Sequence, residues 1–304
     1  MLDLKTCKKI VIVGNGVVDI LVHPCDETVF ETGSYPCENI SMSVGGDALN
    51  EATILSSFGK EVEWITTLKD DDAGRYILSH CQKMGIDIYN SCFRDYDTAI
   101  NVVLIKKDGS RHFLVNQKGS LRKLEIGDIP LTFDGDILCF ASIFVYPEMK
   151  DDSLFTLFSY AKSKHMKVVA DMTKCKNQET IQDLQKSLPL IDYLLPNEQE
   201  ACLFTQSDTV EQAAEKLIQA GVKHVVIKCS EKGCYACDGK QKFWVKANDV
   251  VCVDTTGAGD SFVSGFVKAL SEEKSFYECC EMGNEFGSLN VQKIGATTWI
   301  KGGN

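Results

Sequence analysis

The amino-acid sequence predicts an α/β protein with a doubly wound, mostly parallel central sheet, helices on both faces and a small β lid. From residue 136 onward, short apolar runs alternate with helical segments, which is typical of parallel sheets with crossover helices. Two further runs of alternating polarity flank a hairpin turn signal, Asp108-Gly109-Ser110, and predict the lid. We expect one domain over residues 1–304, with the lid formed by about residues 17–44 and 96–118.

The composition and charge fit an enzyme that acts on small molecules. The chain has 304 residues, is 44% hydrophobic and 25% charged, and can bury a large core. Its net charge of −11 argues against nucleic acid or an anionic membrane as a partner. Only a short apolar run follows Lys5, Lys8 and Lys9, so no signal peptide is predicted. The cysteines suit a reducing compartment, and we expect a cytoplasmic protein with free thiols.

The first half of the chain predicts strands, helices and the lid hairpin. A helix follows Gly45-Gly46, because Ala52, Leu55 and Phe58 share one face, and it ends at Gly59. In chain order the predicted elements are strand 9–14, this helix, strand 62–67, helix 71–84, strand 86–92 and the hairpin runs 98–105 and 111–117.

The second half predicts the regular alternation that builds the parallel sheet. A helix opens at Pro196-Asn197, where Asn197 can act as the N-cap. The other predicted elements are strand 136–141, helix 152–164, strand 167–171, helix 179–187, strand 193–195, strand 223–228, a hairpin around 234–237 and a last helix over 276–292.

A stretch near the C-terminal end carries the chemistry. Residues 250–253 predict a buried strand, residues 255–259 a loop of small residues, and a helix begins at about Ala258. A glycine-rich loop before a helix N-terminus offers N–H donors to an anion. Asp260, in the first turn, can favour the helix dipole, and it can also accept a proton from a hydroxyl that attacks the anion. This arrangement predicts phosphoryl transfer to an alcohol.

The turn after the first strand offers a second polar group. Gly14-Asn15-Gly16-Val17-Val18-Asp19 is similar to a dinucleotide fingerprint, but Asp19 stands where the third glycine belongs and residues 20–24 lack helical spacing. A nicotinamide dehydrogenase is therefore disfavoured. An aspartate at the carboxyl end of a strand can accept hydrogen bonds from two vicinal sugar hydroxyls, and a turn-forming aspartate is the alternative.

Two motifs carry a family resemblance. Asp254-Thr255-Thr256-Gly257-Ala258-Gly259-Asp260-Ser261-Phe262 resembles the C-terminal signature of the ribokinase, or PfkB, family of carbohydrate kinases. Gly45-Gly46-Asp47-Ala48-Leu49-Asn50 resembles its N-terminal Gly-Gly signature. The resemblance covers residues 10–298, looks closest to uncharacterised bacterial sugar kinases, and implies a ribokinase-like fold. It also implies ATP and Mg²⁺ as cofactors, K⁺ as an optional one, and a small sugar or sugar acid as the acceptor.

The resemblance also implies roles at the matching positions. Asp260 would be the catalytic base, beside an anion hole made by Gly257, Ala258 and Gly259. The acceptor would be bound by Asp19, Gly45, Gly46, Asn50 and Asn101, although a solvated strand position suits Asn101 equally. The nucleotide would be bound by Asn197, Lys228, Ser230, Gly233 and Asn284, with Lys228 and Ser230 replacing the family's usual Thr and Gly. Glu200 would hold Mg²⁺ through water, and Asp254 and Thr256 would border a monovalent cation.

Other readings stay open at this point. Asn197 and Glu200 also suit a helix cap, and the family includes nucleoside kinases, for which Phe30, Tyr35, Phe113 or Phe144 could stack on a base. A non-catalytic sugar-binding relative is the alternative from another class, although it would have no use for the base. Members of the family form dimers through the lid, so a homodimer of that kind is left open.

Overall fold

Residues 8–108 and 110–300 are described by the structure, a computed structural model. The strands are β1 (Lys9–Val13), β2 (Val17–His23), β3 (Asn39–Gly45), β4 (Glu61–Ile65), β5 (Thr67–Leu68), β6 (Cys92–Phe93), β7 (Ile100–Ile105), β8 (Arg111–Val115), β9 (Ile137–Ile143), β10 (Lys167–Met172), β11 (Tyr193–Leu194), β12 (His224–Lys228), β13 (Cys234–Cys237) and β14 (Lys242–Val245). The helices are α1 (Thr28–Thr32), α2 (Asp47–Ser57), α3 (Asp72–Met84), α4 (Asp151–Ser163), α5 (Glu198–Thr205), α6 (Val210–Gln219), α7 (Ala258–Ser271) and α8 (Phe276–Asn290).

The central sheet has eight strands in the order β14-β13-β12-β11-β10-β9-β1-β4. The six strands from β12 to β4 pair in parallel, whereas β13 and β14 extend the sheet as an antiparallel hairpin. The predicted mostly parallel sheet is therefore confirmed. The carboxyl ends of its parallel strands meet at one edge, which is where sites form in such folds.

Alternate residues of the central strands pack into two hydrophobic cores, one on each face of the sheet. Val11 and Val13 of β1 belong to a cluster that includes α4, α5 and α6 on one face. Ile10 and Ile12 point the other way, into a cluster that includes α2, α3, α7 and α8. Because both faces of each strand are covered, the strands read as continuous apolar runs in the sequence. No helix in the described part of the chain is long and apolar enough to cross a membrane.

A second sheet, here called the lid sheet, has four strands in the order β3-β2-β7-β8. The neighbours β2 and β3 pair antiparallel, β2 and β7 parallel, and β7 and β8 antiparallel. The β7–β8 hairpin occurs where its turn predicted it, although Gly109 itself lies outside the described residues. The lid strands lie within residues 17–45 and 100–115, close to the predicted bounds. That β2 is a strand also removes the helix that a dinucleotide fingerprint requires.

The predicted strand over residues 250–253 is wrong. This segment has no strand structure, and Val251 and Val253 are 80% and 57% exposed. The N–H groups of Val253 and Asp254 both donate to the carbonyl of Val291, at 2.7 and 3.1 Å, so the end of α8 and not a neighbouring strand holds this backbone. A β-branched run predicts a strand only when a sheet edge is available to pair with it.

Several other boundaries differ from the predictions. Residues 86–92 form only a bridge from Asp87 to Glu63 and a two-residue strand, because a turn closed by the Ser91 N–H to the Ile88 carbonyl interrupts the run. Residues 179–187 contain only a short 3₁₀ helix, Ile181–Leu184, shortly before Pro189. The predictions did not include α1, α6, β3 or β14.

We predict that Gly233→Ala destabilises the protein strongly. Gly233 has φ +92°, and a Cβ there would lie 2.0 Å from the carbonyl oxygen of Val245 on β14. The substitution should lower the free energy of unfolding by roughly 2–4 kcal/mol, through backbone strain and overlap. Urea unfolding followed by circular dichroism measures this. Gly127→Ala is the matched control, because a Cβ at Gly127 meets open space. Equal stability of the two variants would show that the close approach of β14 is wrong.

Candidate active site

A cleft of about 600 Å³ opens at the carboxyl ends of β10 and β12, beside the N-terminus of α7. It gathers residues from distant parts of the chain, among them Asp47, Asp171 and Asp260. The predicted site residues that line it are Asn197, Glu200, Lys228, Ser230, Gly233, Ala258, Gly259, Asp260 and Asn284.

Asp260 lies in the first turn of α7, where the predicted helix begins at Ala258. Its Oδ2 accepts a hydrogen bond of 2.7 Å from the side-chain amide of Asn50 on α2. Loss of solvent and the nearby carboxylate of Asp47 raise the pKa of Asp260 to about 8, although the Asn50 hydrogen bond opposes this shift. A carboxyl group with such a pKa can gain and lose a proton near neutral pH.

The loop before α7 presents backbone donors to the cleft. Gly257 caps the helix with φ +75°, and a Cβ there would lie 2.5 Å from the Cβ of Ala296. The N–H of Ala258 donates to the carbonyl of Thr255 at 3.1 Å. Among the described residues, the N–H groups of Gly257 and Gly259 have no acceptor. These two groups, at the positive end of the helix dipole, are free to bind an anion.

Lys228 ends β12 and pairs with Asp171 at the end of β10. Its Nζ lies 2.6 Å from Asp171 Oδ2, and 3.6 Å from where a Cβ on Gly259 would stand. Burial acts to lower the pKa of Lys228, but the carboxylates of Asp171 and Glu200 outweigh it and raise that pKa, so the ammonium group stays charged. The Lys228 ammonium group therefore lies beside the loop that precedes α7, and its ion pair with Asp171 holds it there. Asp171 was not among the predicted site residues.

Carboxyl groups outnumber cationic groups among the residues that line the cleft and near them. Asp47, in the first turn of α2, accepts a hydrogen bond of 2.8 Å from the hydroxyl of Ser142. Glu51 is 1% exposed, and neither of its carboxyl oxygens has a hydrogen-bond partner in the described part of the chain. Burial, reinforced by Asp260, Asp171 and Asp47, raises the pKa of Glu51 well above its ordinary value. The crowding favours protonated carboxyl groups, and a bound cation would favour their ionised forms.

Asn197 and Glu200 form a reciprocal cap at the start of α5. The Asn197 side chain accepts from the Glu200 N–H at 2.9 Å, and the Glu200 carboxylate accepts from the Asn197 N–H at 2.8 Å. Both residues also line the cleft. Burial and the charge of Asp171 raise the pKa of Glu200 to about 7. The cap predicted from the sequence is present. The Glu200 carboxyl group is also close enough to Asp171 and Asp47 for their charges to affect its pKa.

Asp19 and Asn101 meet on the lid sheet, on neighbouring strands. The side-chain amide of Asn101 donates to Asp19 Oδ1 at 3.0 Å. Gly45 lies opposite, where a Cβ would stand 2.1 Å from Asp19 Oδ2, and Gly46 has φ +93°. Burial raises the pKa of Asp19, against the Asn101 hydrogen bond and the charge of Arg111. Only glycine at position 45 leaves this carboxylate in place.

Arg111 of β8 connects the lid sheet to the signature loop. Its Nη2 lies 2.5 Å from Asp254 Oδ2, which also accepts from the Gly295 N–H at 2.8 Å. The other oxygen, Asp254 Oδ1, accepts from the N–H and the hydroxyl of Thr256 at 3.0 and 2.8 Å. Burial acts to raise the pKa of Asp254, but these donors outweigh it and lower that pKa. Arg111 supplies the countercharge at the position where the resemblance implied a monovalent cation.

The remaining predicted nucleotide residues shape one wall of the cleft. Asn284 donates from its side-chain amide to the carbonyls of Val245 and Lys246, at 2.9 and 3.1 Å, and so fixes the end of β14. Ser230 has φ +51°, in the turn that Gly233 closes.

Four site residues were missed by the sequence analysis: Asp47, Ser142, Asp171 and Arg111. Two of them had a usable signal, because Asp171 ends a predicted buried strand, as the expected site position requires, and Asp47 stands inside the Gly-Gly motif. The other two had none. Ser142 and Arg111 acquire their roles only through contacts with Asp47 and Asp254, which lie far away in the sequence.

Comparison with known proteins identifies the family of the chain. A family profile described as pfkB family carbohydrate kinase matches residues 8–301. A 2-dehydro-3-deoxygluconokinase from Haemophilus influenzae is 26% identical over 295 residues, covering 89% of this chain and 93% of the relative. Further relatives are named ribokinase (Haemophilus influenzae), probable fructokinase-5 (Arabidopsis thaliana) and cytidine kinase (Thermococcus kodakarensis).

Solved structures show the same fold. The crystal structure of a ribokinase from Thermotoga maritima matches with a TM-score of 0.80 and 25% identity, covering 97% of this chain and 96% of the other. A fructokinase double mutant from Vibrio cholerae, bound to fructose, ADP and a potassium ion, matches with a TM-score of 0.78 and 20% identity, covering 96% and 94%.

These findings define the class: a phosphotransferase with an alcohol group as the acceptor, on a ribokinase-like fold. The chain belongs to the pfkB family of carbohydrate kinases.

Proposed function

We propose that this protein is an ATP-dependent kinase that transfers the γ-phosphoryl group to a hydroxyl of a small sugar or sugar acid. One observation carries the proposal. The carboxylate of Asp260 lies within one helical turn of the free N–H groups of Gly257 and Gly259, at the N-terminus of α7. A base beside an anion hole is what phosphoryl transfer to an alcohol requires.

Each of the proposed site residues has its own role in the phosphoryl transfer. Asp260 takes the proton of the acceptor hydroxyl. As it does so, the hydroxyl oxygen forms a bond to the γ-phosphorus, and the bond between that phosphorus and the β,γ-bridging oxygen breaks. The loop N–H groups, with Lys228 nearby, stabilise the charge on the transferred group. Asn50 holds Asp260 in place through its 2.7 Å hydrogen bond. The leaving ADP keeps the electrons of the broken bond.

We expect the nucleotide to bind in the cleft of about 600 Å³. Its walls include the proposed nucleotide residues Asn197, Lys228, Ser230, Gly233 and Asn284. Among the described residues no group of three or more carboxyl, histidine or cysteine side chains is placed to hold a metal ion directly, so Glu200 would hold a divalent cation only through water. Mg²⁺ bound there would supply neutralisation of the β- and γ-phosphates. The donors around Asp254 already satisfy its carboxylate, so K⁺ beside Asp254 and Thr256 stays a prediction that requires Arg111 to move.

The acceptor is proposed to bind between the lid sheet and α2, through Asp19, Gly45, Gly46, Asn50 and Asn101. The environments of the aromatic residues favour a sugar over a nucleoside. Phe30 and Phe113 are 81% and 56% exposed, Phe144 packs on Phe204, and Tyr35 bonds Asp26. None of these four residues lines the cleft of about 600 Å³ or the cleft that contains Gly46, which counts against them as stacking partners for a base.

The dimer and the cellular location remain predictions. A homodimer through the lid would use the exposed apolar side chains of the edge strands, such as Ile40 and Met42 on β3 and Leu114 on β8. A cytoplasmic location rests on the sequence analysis alone.

Asp260→Asn should abolish nearly all turnover while nucleotide binding and the fold remain. The amide cannot accept the proton, and loss of a general base costs roughly 10²- to 10⁴-fold in kcat. Coupled ADP-release assays measure turnover, and fluorescence titration with an ATP analogue measures binding. Asp249→Asn, an exposed substitution of the same charge outside the cleft, should behave as wild type. A wild-type rate in Asp260→Asn would refute the base assignment.

The rate should depend on pH through Asp260. Its pKa of about 8 means that the carboxyl group is protonated, and useless as a base, below that pH. We therefore expect kcat/KM for the acceptor to rise with pH and level off above about pH 8, because this parameter reports groups of the free enzyme. Initial rates from about pH 6 to about pH 9 measure the profile. A flat profile over this range would contradict the proposed role.

A further inference from the structure

A second, smaller cleft of about 190 Å³ lies on the acceptor side of the site. Gly46, a proposed acceptor residue, is part of its wall, and Asp47 lines both clefts. Its other wall residues include Asn15, Arg122 and Lys176. An acceptor lying against Gly46 can therefore extend into this space, away from the nucleotide.

Arg122 stands on a rigid turn at the mouth of this second cleft. The short 3₁₀ helix Ser120–Arg122 is anchored by Asn15, whose side-chain amide donates to the carbonyls of Leu121 and Ser120. Ser120 is fully buried, and its hydroxyl accepts from the Ala99 N–H at 3.0 Å. The backbone of the turn is thus fixed, whereas the guanidinium group of Arg122 forms no ion pair within residues 8–108 and 110–300.

Lys176 brings a second cation to the same cleft and forms no ion pair with any residue that the structure describes. The carboxylate of Glu179 accepts hydrogen bonds from the N–H and the side-chain amide of Asn177, both at 2.8 Å. Its charge affects the pKa of Lys176, but it forms no hydrogen bond with the Lys176 ammonium group. Burial and the charge of Arg122 lower the pKa of Lys176, while Glu179 and Asp47 only partly oppose this. The side chains of Arg122 and Lys176 are exposed, so solvent screens part of the repulsion between them, and an anion bound between them would relieve the remainder.

Arg122 and Lys176 differ from the other cations at the site. The net charge is −11, and the other cations at the site are each neutralised, Lys228 by Asp171 and Arg111 by Asp254. Asn15 adds a polar group: it is 4% exposed, and its Oδ1 has no hydrogen-bond donor in the described part of the chain. The second cleft therefore offers two cations together with a buried acceptor that suits a neighbouring hydroxyl.

We propose that the acceptor carries an anionic group, which binds between Arg122 and Lys176 while Asn15 accepts a hydrogen bond from an adjacent hydroxyl. This inference rests on the proposed function and narrows its substrate to anionic sugar derivatives. The shared chemistry is a negatively charged oxygen group, which is either the carboxylate of a sugar acid or the phosphate of a sugar phosphate. Arg122 can bind either one with two parallel hydrogen bonds.

The test compares matched charged and neutral acceptors. Kinase assays use gluconate and 2-dehydro-3-deoxygluconate against glucose, and fructose 6-phosphate against fructose. We expect turnover of at least one charged acceptor at a higher kcat/KM than its neutral counterpart. In the double variant Arg122→Ala, Lys176→Ala, the KM for that acceptor should rise roughly 10- to 100-fold with kcat nearly unchanged, as expected for lost charge-assisted hydrogen bonds. Which pair responds distinguishes a carboxylate from a phosphate.

A matched control removes the same charge nearby. Lys123 and Lys174 are exposed, flank the two cleft cations in sequence and do not line the cleft, so Lys123→Ala, Lys174→Ala should keep the wild-type KM. Equal effects of the two double variants would overturn the proposal, since the loss would then come from the overall field. Preferred turnover of neutral sugars, unaffected by Arg122→Ala, Lys176→Ala, would also overturn it while leaving the kinase function intact.

A binding measurement without ATP separates this inference from the kinase function. Calorimetric titration should detect binding of a charged probe from the panel to wild-type protein and at least tenfold weaker binding to Arg122→Ala, Lys176→Ala. Such binding without turnover would support the anion subsite and count against the kinase activity. No binding of any charged probe, together with no turnover of one, would refute the subsite.

Discussion

The hydrogen bond between Asn50 and Asp260, 2.7 Å long, joins the two halves of the site across 210 residues of sequence. Asn50 belongs to α2, which follows the Gly-Gly turn beside the lid sheet, whereas Asp260 belongs to α7, which follows the anion loop. A proton can pass from acceptor to base only if these helices keep their spacing. The packing of α2 on α7 in one core cluster maintains it, with Ala52 and Leu55 buried in the same cluster as Phe262 and Phe266.

The charged groups of the site determine which ligands it can bind. The carboxyl groups of Asp171, Glu200 and Asp260 act on Lys228, and their burial and crowding raise their pKa values, so the free site favours protonated carboxyl groups. A polyanionic phosphoryl donor requires hydrogen-bond donors and cations at its binding site, and the loop N–H groups and Lys228 are placed to supply them. On the acceptor side, Arg122 and Lys176 are proposed to bind an anionic group of the acceptor.

Much of the fold could be predicted from the sequence, because buried parallel strands and amphipathic helices leave local patterns. The signature loop, Asp260 and the Gly-Gly turn were identified because short motifs encode a local backbone shape that glycine permits. What failed depended on partners that are distant in the sequence. Residues 250–253 looked like a strand but found no sheet edge to pair with.

The same limit applies to the side chains of the site. Lys228 looked like a nucleotide contact, yet its position depends on Asp171, a residue 57 positions away. Arg111 meets Asp254 across 143 positions, and Arg122 faces Lys176 only because two loops converge on one cleft. Periodicity and motif spacing do not encode such contacts, since they arise from the packing of whole elements.

The central claim is phosphoryl transfer from ATP to an acceptor hydroxyl. The most direct measurement is ADP release by the purified protein with Mg-ATP, for each member of a panel of neutral sugars, sugar acids, sugar phosphates and nucleosides, with the product identified by phosphorus NMR. The account predicts acceptor-dependent ADP release and a phosphate ester on a sugar or sugar acid. Tight ATP binding with no acceptor-dependent ADP release across the panel would contradict it and favour a sugar-binding protein without kinase activity.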